Sequence, residues 1–191
     1  MKLPNAAHTS QGWRIDEVVP DFRLEDVWAL PALGGLDDFP LLVEGIASAD
    51  PARSLPRGGR ALWNLRLKLG ELMGWDEPDT GIGARVSSLR DRLPADLRDA
   101  PPGPDFDSLP FTSLYQLENE WAAEMANRTV HGVFHLGWVE EEAGWYRAQM
   151  AVYVKTNGPI GSAYMAAIKP FRHLVVYPQM MRELERRWQE R

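Results

Sequence analysis

Residues Thr129–Lys155 constrain the fold more than any other stretch of this chain. They read as two long strands joined by a polar turn at Glu140–Gly144. On Thr129–Val139, Val130, Gly132, Phe134, Leu136 and Trp138 share one face, and Thr129, His131, Val133 and His135 share the other. On Tyr146–Lys155, Tyr146, Ala148, Met150, Val152 and Val154 fall together, opposite Arg147, Gln149, Tyr153 and Lys155. One apolar and one more polar face per strand predicts an antiparallel pair solvated on one side. The segment Tyr164–Trp188 follows, with Tyr164, Ile168, Phe171, Val175, Met181, Leu184 and Trp188 at near-heptad spacing. Pro170 and Pro178 must kink or restart this helix, because each lacks an N–H and restricts its predecessor. A short strand over Phe171–Tyr177 is the alternative there. The expected architecture is α+β: an antiparallel sheet with a C-terminal helix packed on one face and a mostly helical N-terminal half.

The earlier residues support that division. Trp13, Ile15, Glu17 and Val19 alternate with Arg14, Asp16 and Val18 and suggest a short first strand. Asp37 or Asp38 can cap a helix carrying Pro40 in its first turn, with Phe39, Leu42, Val43 and Ile46 on one face. A second helix is expected over Arg60–Met73, striped by Leu62, Leu65, Leu69, Leu72 and Met73. Burial in the core explains that stripe better than membrane contact. Leu89, Leu93 and Leu97 suggest a short helix interrupted at Pro94. The proline-rich run Ala100–Pro110 reads as a connector, and Phe111–Leu117 as a further strand. Glu118–Ala126 consists of strong helix formers and predicts a helix stopped near Asn127. The main alternative is a strand with Trp121, Ala123 and Met125 inward. Neither half can bury its own faces alone, so residues 1–191 are expected to form a single domain.

Composition narrows the function classes. The net charge of −6 comes with no block of like charges, and Glu183, Glu185 and Glu190 interleave with Arg182, Arg186 and Arg187. A nucleic-acid partner, which needs a basic face, is therefore not expected. The chain holds no cysteine, which removes disulfides, thiolate catalysis and cysteine-ligated metals. Met1–Gly12 has no continuous apolar run and does not read as a signal peptide. No window provides the ~20 apolar residues of a membrane span. A cytoplasmic location is the resulting expectation. Eight tryptophans point to a large aromatic core or an aromatic-lined cavity.

Motifs that would fix a reaction are missing from the string. His131 and His135 have the spacing of a helical metal motif, but on a strand four residues span ~13 Å. Two ligands of one zinc bond at only ~2 Å, so a shared metal is excluded on a strand and surface or half-buried histidines are expected. His8 is expected to be exposed or to order its segment. His173, beside Arg172, would suit acid–base work if it faced a pocket. The glycine pairs at Gly34, Gly58 and Gly81 lack dinucleotide- or phosphate-loop spacing, and no serine sits in a nucleophile elbow. Glu140, Glu141 and Glu142 read as solvated turn charges. No metal and no cofactor is expected.

Several runs nevertheless resemble a known family. They are Asn127–Val139, centred on His131-Gly132-Val133-Phe134-His135, and Gly161–His173, containing Tyr164-Met165-Ala166-Ala167-Ile168-Lys169-Pro170-Phe171. His8-Thr9-Ser10 followed by Trp13-Arg14-Ile15, and Leu89-Arg90-Asp91-Arg92-Leu93-Pro94, complete the set. Together they resemble domain-of-unknown-function family 2867 (DUF2867) from His8 to Trp188. Similar domains occur alone in actinobacteria-like, hence bacterial, proteins or attached to dehydrogenase-like domains. The resemblance thus implies a dehydrogenase-like partner, with a homodimer as the other expected association, and it transfers no catalytic residue. The order of sheet and closing helix is similar to the helix-grip fold of the START and polyketide-cyclase superfamily. The helical first hundred residues depart from that pattern and put a full seven-stranded sheet in doubt.

These readings converge on a small apolar ligand held between the sheet and the C-terminal helix. The ligand-binding residues expected are Phe134, Trp138, Tyr146, Met150, Tyr164, Ile168 and Phe171, with Tyr146 and Tyr164 offering hydroxyls. A cyclase, hydratase or isomerase using that pocket would need Tyr146, Tyr164, Arg172 or His173 inside it. An interaction module would instead show a filled core and an exposed patch around Trp63 or Trp75.

Overall fold

The two strands expected over Thr129–Lys155 form the centre of the molecule. The computed structural model describes residues 1–50, 81–83 and 86–191. Val130–Glu142 (β5) pairs antiparallel with Trp145–Thr156 (β6), register Trp138↔Ala148 and Phe134↔Val152. Between them Gly144 turns the chain at φ +78°, a conformation that costs glycine little. Four further strands complete a six-stranded antiparallel sheet: Lys2–Leu3 (β1), Arg23–Gly34 (β2), Thr112–Gln116 (β3) and Glu120–Ala126 (β4). The spatial order is β1-β2-β6-β5-β4-β3.

β2 was not foreseen, because it does not keep a clean period of two. Leu24 faces Tyr153 and Asp26 faces Val152, so Glu25 is an extra, bulged residue. A second irregularity lies between Ala29 and Leu33, around Pro31, which has no N–H for the ladder. The bulge at Glu25 reverses the side-chain phase. Leu24 packs beneath the sheet, whereas Asp26 emerges on the same face as Val152.

Glu120–Ala126 is a strand, not the helix that its composition favours. Its pairing with β3 and β5 and its two buried faces override intrinsic propensity. Trp121 and Ala123 point to one face, and Glu120, Ala122 and Glu124 to the other. Asn127 does not end a helix but makes the tight turn into β5. Its Oδ1 accepts from the Thr129 N–H, the Thr129 hydroxyl and the Val130 N–H. The strand proposed around Trp13 is also corrected. Ile15–Val18 is one helical turn whose first N–H groups donate to the Glu120 carboxylate.

Helices cover the first face of the sheet. Phe39–Ala47 (α3) buries Phe39, Leu42, Val43 and Ala47. The C-terminal path runs through Gly158–Phe171 (α5), a π turn at Arg172–Val176, and Tyr177–Gln189 (α6). Both prolines are accommodated without a break: Pro178 falls in the first turn of α6, where its missing N–H costs nothing, with the wider π turn just before it, and Pro170 lies inside α5. The alternative strand over Phe171–Tyr177 does not form. Gly161 lets α5 approach closely, since a Cβ there would overlap the Thr129 carbonyl oxygen.

The second face is not solvated. Ala6–Thr9 (α1), Ile15–Val18 (α2), the 3-10 turn Leu89–Arg92 and Ala95–Asp99 (α4) lie across it. They bury Trp13, Ile15, Val18, Leu89, Leu93 and Leu97 against Val133, Ala151 and Tyr153. The split between the last two helical turns falls at Pro94, as its missing N–H requires. The expected helix over Arg60–Met73 lies outside the described residues.

Candidate functional site

The apolar face of β4, β5 and β6 curves beneath α5 and α6 around a cavity of about 320 Å³. Phe134, Met150 and Val152 form its floor, and Tyr164, Ile168 and Val176 its roof. Phe106 and Phe111, from the proline-rich connector and the residue before β3, close one side. Phe106 stacks on Trp121 at 5.3 Å and meets Phe134 edge-on at 5.5 Å. This aromatic wall arises because β4 turns Trp121 toward the same face as Phe134 on β5. Gly132 leaves a gap in the floor: a Cβ there would meet nothing nearer than Met125 Sδ at 3.7 Å.

Of the seven residues expected to hold a ligand, Phe134, Met150, Tyr164 and Ile168 line this cavity. Trp138 and Tyr146 stand beside it in a separate aromatic group, stacked at 6.2 Å beneath Trp188 of α6. The Trp138 indole N–H donates to the Gly35 carbonyl at 3.0 Å. Phe171 is half-buried and is not among the lining residues. Trp63 and Trp75, the expected centre of an interaction patch, lie outside the described residues.

At the β2 side of the cavity stands a polar group that sequence reasoning missed. Asp26 is fully buried. Its Oδ2 accepts from Arg172 Nη2 at 2.5 Å and from the Tyr177 hydroxyl at 3.0 Å. Lys2 Nζ lies 3.6 Å from Oδ1. His173 Nε2 approaches Oδ1 to 2.7 Å, but the angles are not those of a hydrogen bond, and both atoms are left unsatisfied. Arg172 and Tyr177 are themselves lining residues. Burial first, and the Asp26 carboxylate after it, push the Tyr177 phenol well above its usual range, against the pull of Arg172. That hydroxyl stays protonated at neutral pH and serves as a donor. The sign of this group in the sequence was an acidic residue, Asp26, set among Leu24, Val27 and Trp28.

His8, His131 and His135 are more deeply buried than expected. His131 and His135 are buried on the second face, each against its own glutamate. His131 Nε2 lies 2.8 Å from Glu124 Oε2, and His135 Nε2 lies 3.1 Å from Glu120 Oε1. His8 is not exposed: it is wholly buried, with Nδ1 2.6 Å from Gln149 Oε1 and its ring 4.8 Å from that of His135. Burial, and then the neighbouring His135, lower its pKa to about 3. Burial alone would raise Glu120, but His135, the Tyr115 hydroxyl and the Arg14 N–H more than reverse this and hold it below its usual range.

Each glutamate also receives a crossing segment. Glu120 accepts from the N–H groups of Arg14 and Ile15, and Glu124 from Ser88 Oγ and the Leu89 N–H. These pairs anchor the covering layer to the sheet. A matched spacing of four, Glu120 with Glu124 and His131 with His135, was their signature, hidden by the helical reading of Glu118–Ala126. Among the described residues no group of three or more acidic or histidine side chains is placed to hold a metal ion. Among them, too, no helix is long and apolar enough to cross a membrane.

No curated protein and no solved structure matches the chain. The family model described as "Protein of unknown function (DUF2867)" matches residues 18–179, from the end of α2 into α6, and the chain belongs to that family.

Proposed function

We propose that this protein binds a small apolar molecule in the cavity between the sheet and its C-terminal helix. The observation that carries this reading is the cavity of about 320 Å³ walled by Phe134, Met150, Val152, Tyr164 and Ile168. That volume lies at the lower end of the range typical of small-molecule sites, ~300–1,000 Å³. Phe134, Met150, Tyr164 and Ile168 are the contact residues in this proposal. Trp138, Tyr146 and Phe171 support the walls from outside. The strand order β2-β6-β5-β4-β3 with a closing C-terminal helix is similar to a helix-grip arrangement of the START type, which encloses ligands in the same place. Fold likeness alone does not carry the function.

The rival reading, a cyclase, hydratase or isomerase, draws on Tyr164 and Arg172 at the cavity wall. Tyr146 and His173 are outside the lining. Tyr177, held protonated by burial, is suited to donating a hydrogen bond and not to removing a proton. Binding is therefore the better-supported function.

Titration with apolar probes of about ten non-hydrogen atoms, followed by tryptophan fluorescence and thermal unfolding, tests it. Trp121 is in the wall stack and reports occupancy. A ligand at 100 times its Kd adds ~2.7 kcal/mol, which raises Tm by roughly 5–10 °C at this chain length. Absence of saturable binding across linear, aromatic and alicyclic probes would overturn the proposal.

A further inference from the structure

We infer that the cavity takes uncharged, hydrocarbon-rich molecules of differing shape, and that four methionines make it tolerant of that difference. This rests on the cavity being a ligand site. The chain has seven methionines, and Met125, Met150, Met165 and Met180 all line this one space. They come from β4, β6, α5 and α6, one from each element. Flexible side chains therefore reach the cavity from the sheet and from the closing helices alike.

Methionine is unbranched, turns about three side-chain bonds at low cost and carries a polarizable sulfur. It refills a gap of changed outline better than a branched Leu, Ile or Val. Surfaces that accept several partners use it for that reason. Met125 Sδ borders the gap in the floor: it is the heavy atom nearest to a Cβ placed on Gly132, at 3.7 Å. Met150 is fully buried and Met165 nearly so, whereas Met125 and Met180 are half-buried. Deep and partly exposed positions are thus both adjustable.

The charges of the lining point to an uncharged guest. Among the described residues, Arg172 and Arg187 line the cavity with Asp50 and Glu183, so the two signs cancel. Arg172 is held by Asp26, and Glu183 is bridged by Arg186 and Arg187, each at 2.7 Å. The Tyr177 hydroxyl stays protonated and donates to Asp26. Asn127 Oδ1 is taken up by three donors of its own turn. A carboxylate or ammonium entering this space would lose its hydration and gain no counter-charge, which is strongly disfavoured. A lone hydroxyl costs far less.

The test uses the full chain at pH 7.5 and three neutral ten-carbon alcohols of different outline: linear 1-decanol, alicyclic menthol and aromatic 2-naphthol. Decanoate and decylamine, below their micellar concentrations, supply the charged comparison, and calorimetric titration gives each Kd. The three alcohols should bind within tenfold of one another, and each charged probe at least tenfold more weakly than 1-decanol. Replacing the four residues together, by Met125→Leu, Met150→Leu, Met165→Leu and Met180→Leu, keeps volume and polarity and removes flexibility. In that variant the alcohols should differ by more than tenfold. In the wild-type protein with isotope-labelled methionine methyls, the signals of these four residues, assigned from the single variants, should move to different positions with each alcohol. A spread above tenfold in the wild type, or one still within tenfold in the folded leucine variant, overturns the role of the methionines. Methyl signals that do not move decide against it even where the fourfold variant fails to fold. A charged probe within tenfold of 1-decanol overturns the uncharged assignment. Each of these results leaves the cavity as a ligand site, whereas binding of none of the five probes overturns both.

Discussion

Gly132→Val fills the floor of the cavity and separates space from structure. Gly132 lies on β5 opposite Val154, with an extended backbone, and lines the cavity. The nearest neighbours of a new Cβ are Met125 and the Tyr153 carbonyl, at 3.7–3.8 Å, which is ordinary contact. Removing glycine from a strand interior recovers about 0.5–1 kcal/mol of backbone entropy. Each buried carbon adds up to ~0.8 kcal/mol, less the entropy of one stiff β-branched side chain. The variant should be more stable by about 1–2 kcal/mol, a rise in Tm of roughly 2–8 °C. Apolar probes should bind it at least tenfold more weakly, because valine occupies their volume. Urea denaturation and calorimetric titration measure the two effects on the same samples. A loss of stability greater than ~1 kcal/mol would mean that the floor is already filled, and a stable variant with unchanged binding would place the ligand elsewhere.

Gly137→Ala tests the opposite face, where a Cβ would overlap the Trp13 ring; urea denaturation should show a loss of about 1–3 kcal/mol from overpacking. Gly161→Ala should push α5 off the Thr129 carbonyl, lowering Tm and weakening probe binding together; a variant with unchanged Tm would refute the close approach. Stability should fall with acid in two stages. His8, at about 3 in the folded chain against 6.5 when free, takes up its proton less readily when folded, so stability is lost as pH falls below 6.5. That slope approaches ~1.4 kcal/mol per pH unit, and His8→Gln should flatten it between pH 6 and 4. Glu120, depressed in the folded chain, contributes stability that is present above its unfolded pKa and lost as pH falls through the folded value. Denaturation of Glu120→Gln at pH values below 4.5 should show that second stage removed.

The central hairpin and the closing helix were legible because their side chains obey one period without interruption. Phe134, Trp138 and Met150 alternate cleanly, and Tyr164, Ile168, Leu184 and Trp188 keep a near-heptad spacing across two prolines. β2 was illegible for the converse reason: Glu25 and Pro31 break its phase, so Arg23–Gly34 shows no sustained alternation. Glu120–Ala126 misled because helix formers were pulled into a sheet by pairing on both edges. The second face looked solvated because polar side chains were counted singly. Paired as His131 with Glu124, and His135 with Glu120, they are compatible with burial. The Asp26 cluster joins β2 to the π turn over a separation of 146 residues, and its one local trace is an acidic residue set among Leu24, Val27 and Trp28.

The wide turn at Arg172–Val176 makes chain length a strict quantity in this molecule. Inserting one further residue there would exceed what the wide turn absorbs and swing everything beyond it by about 100° around the helix axis. Tyr177, Leu184 and Trp188 would rotate away from the strands, and charged neighbours would take their places. Substitutions between Pro170 and Pro178 should therefore be tolerated far more readily than a single insertion.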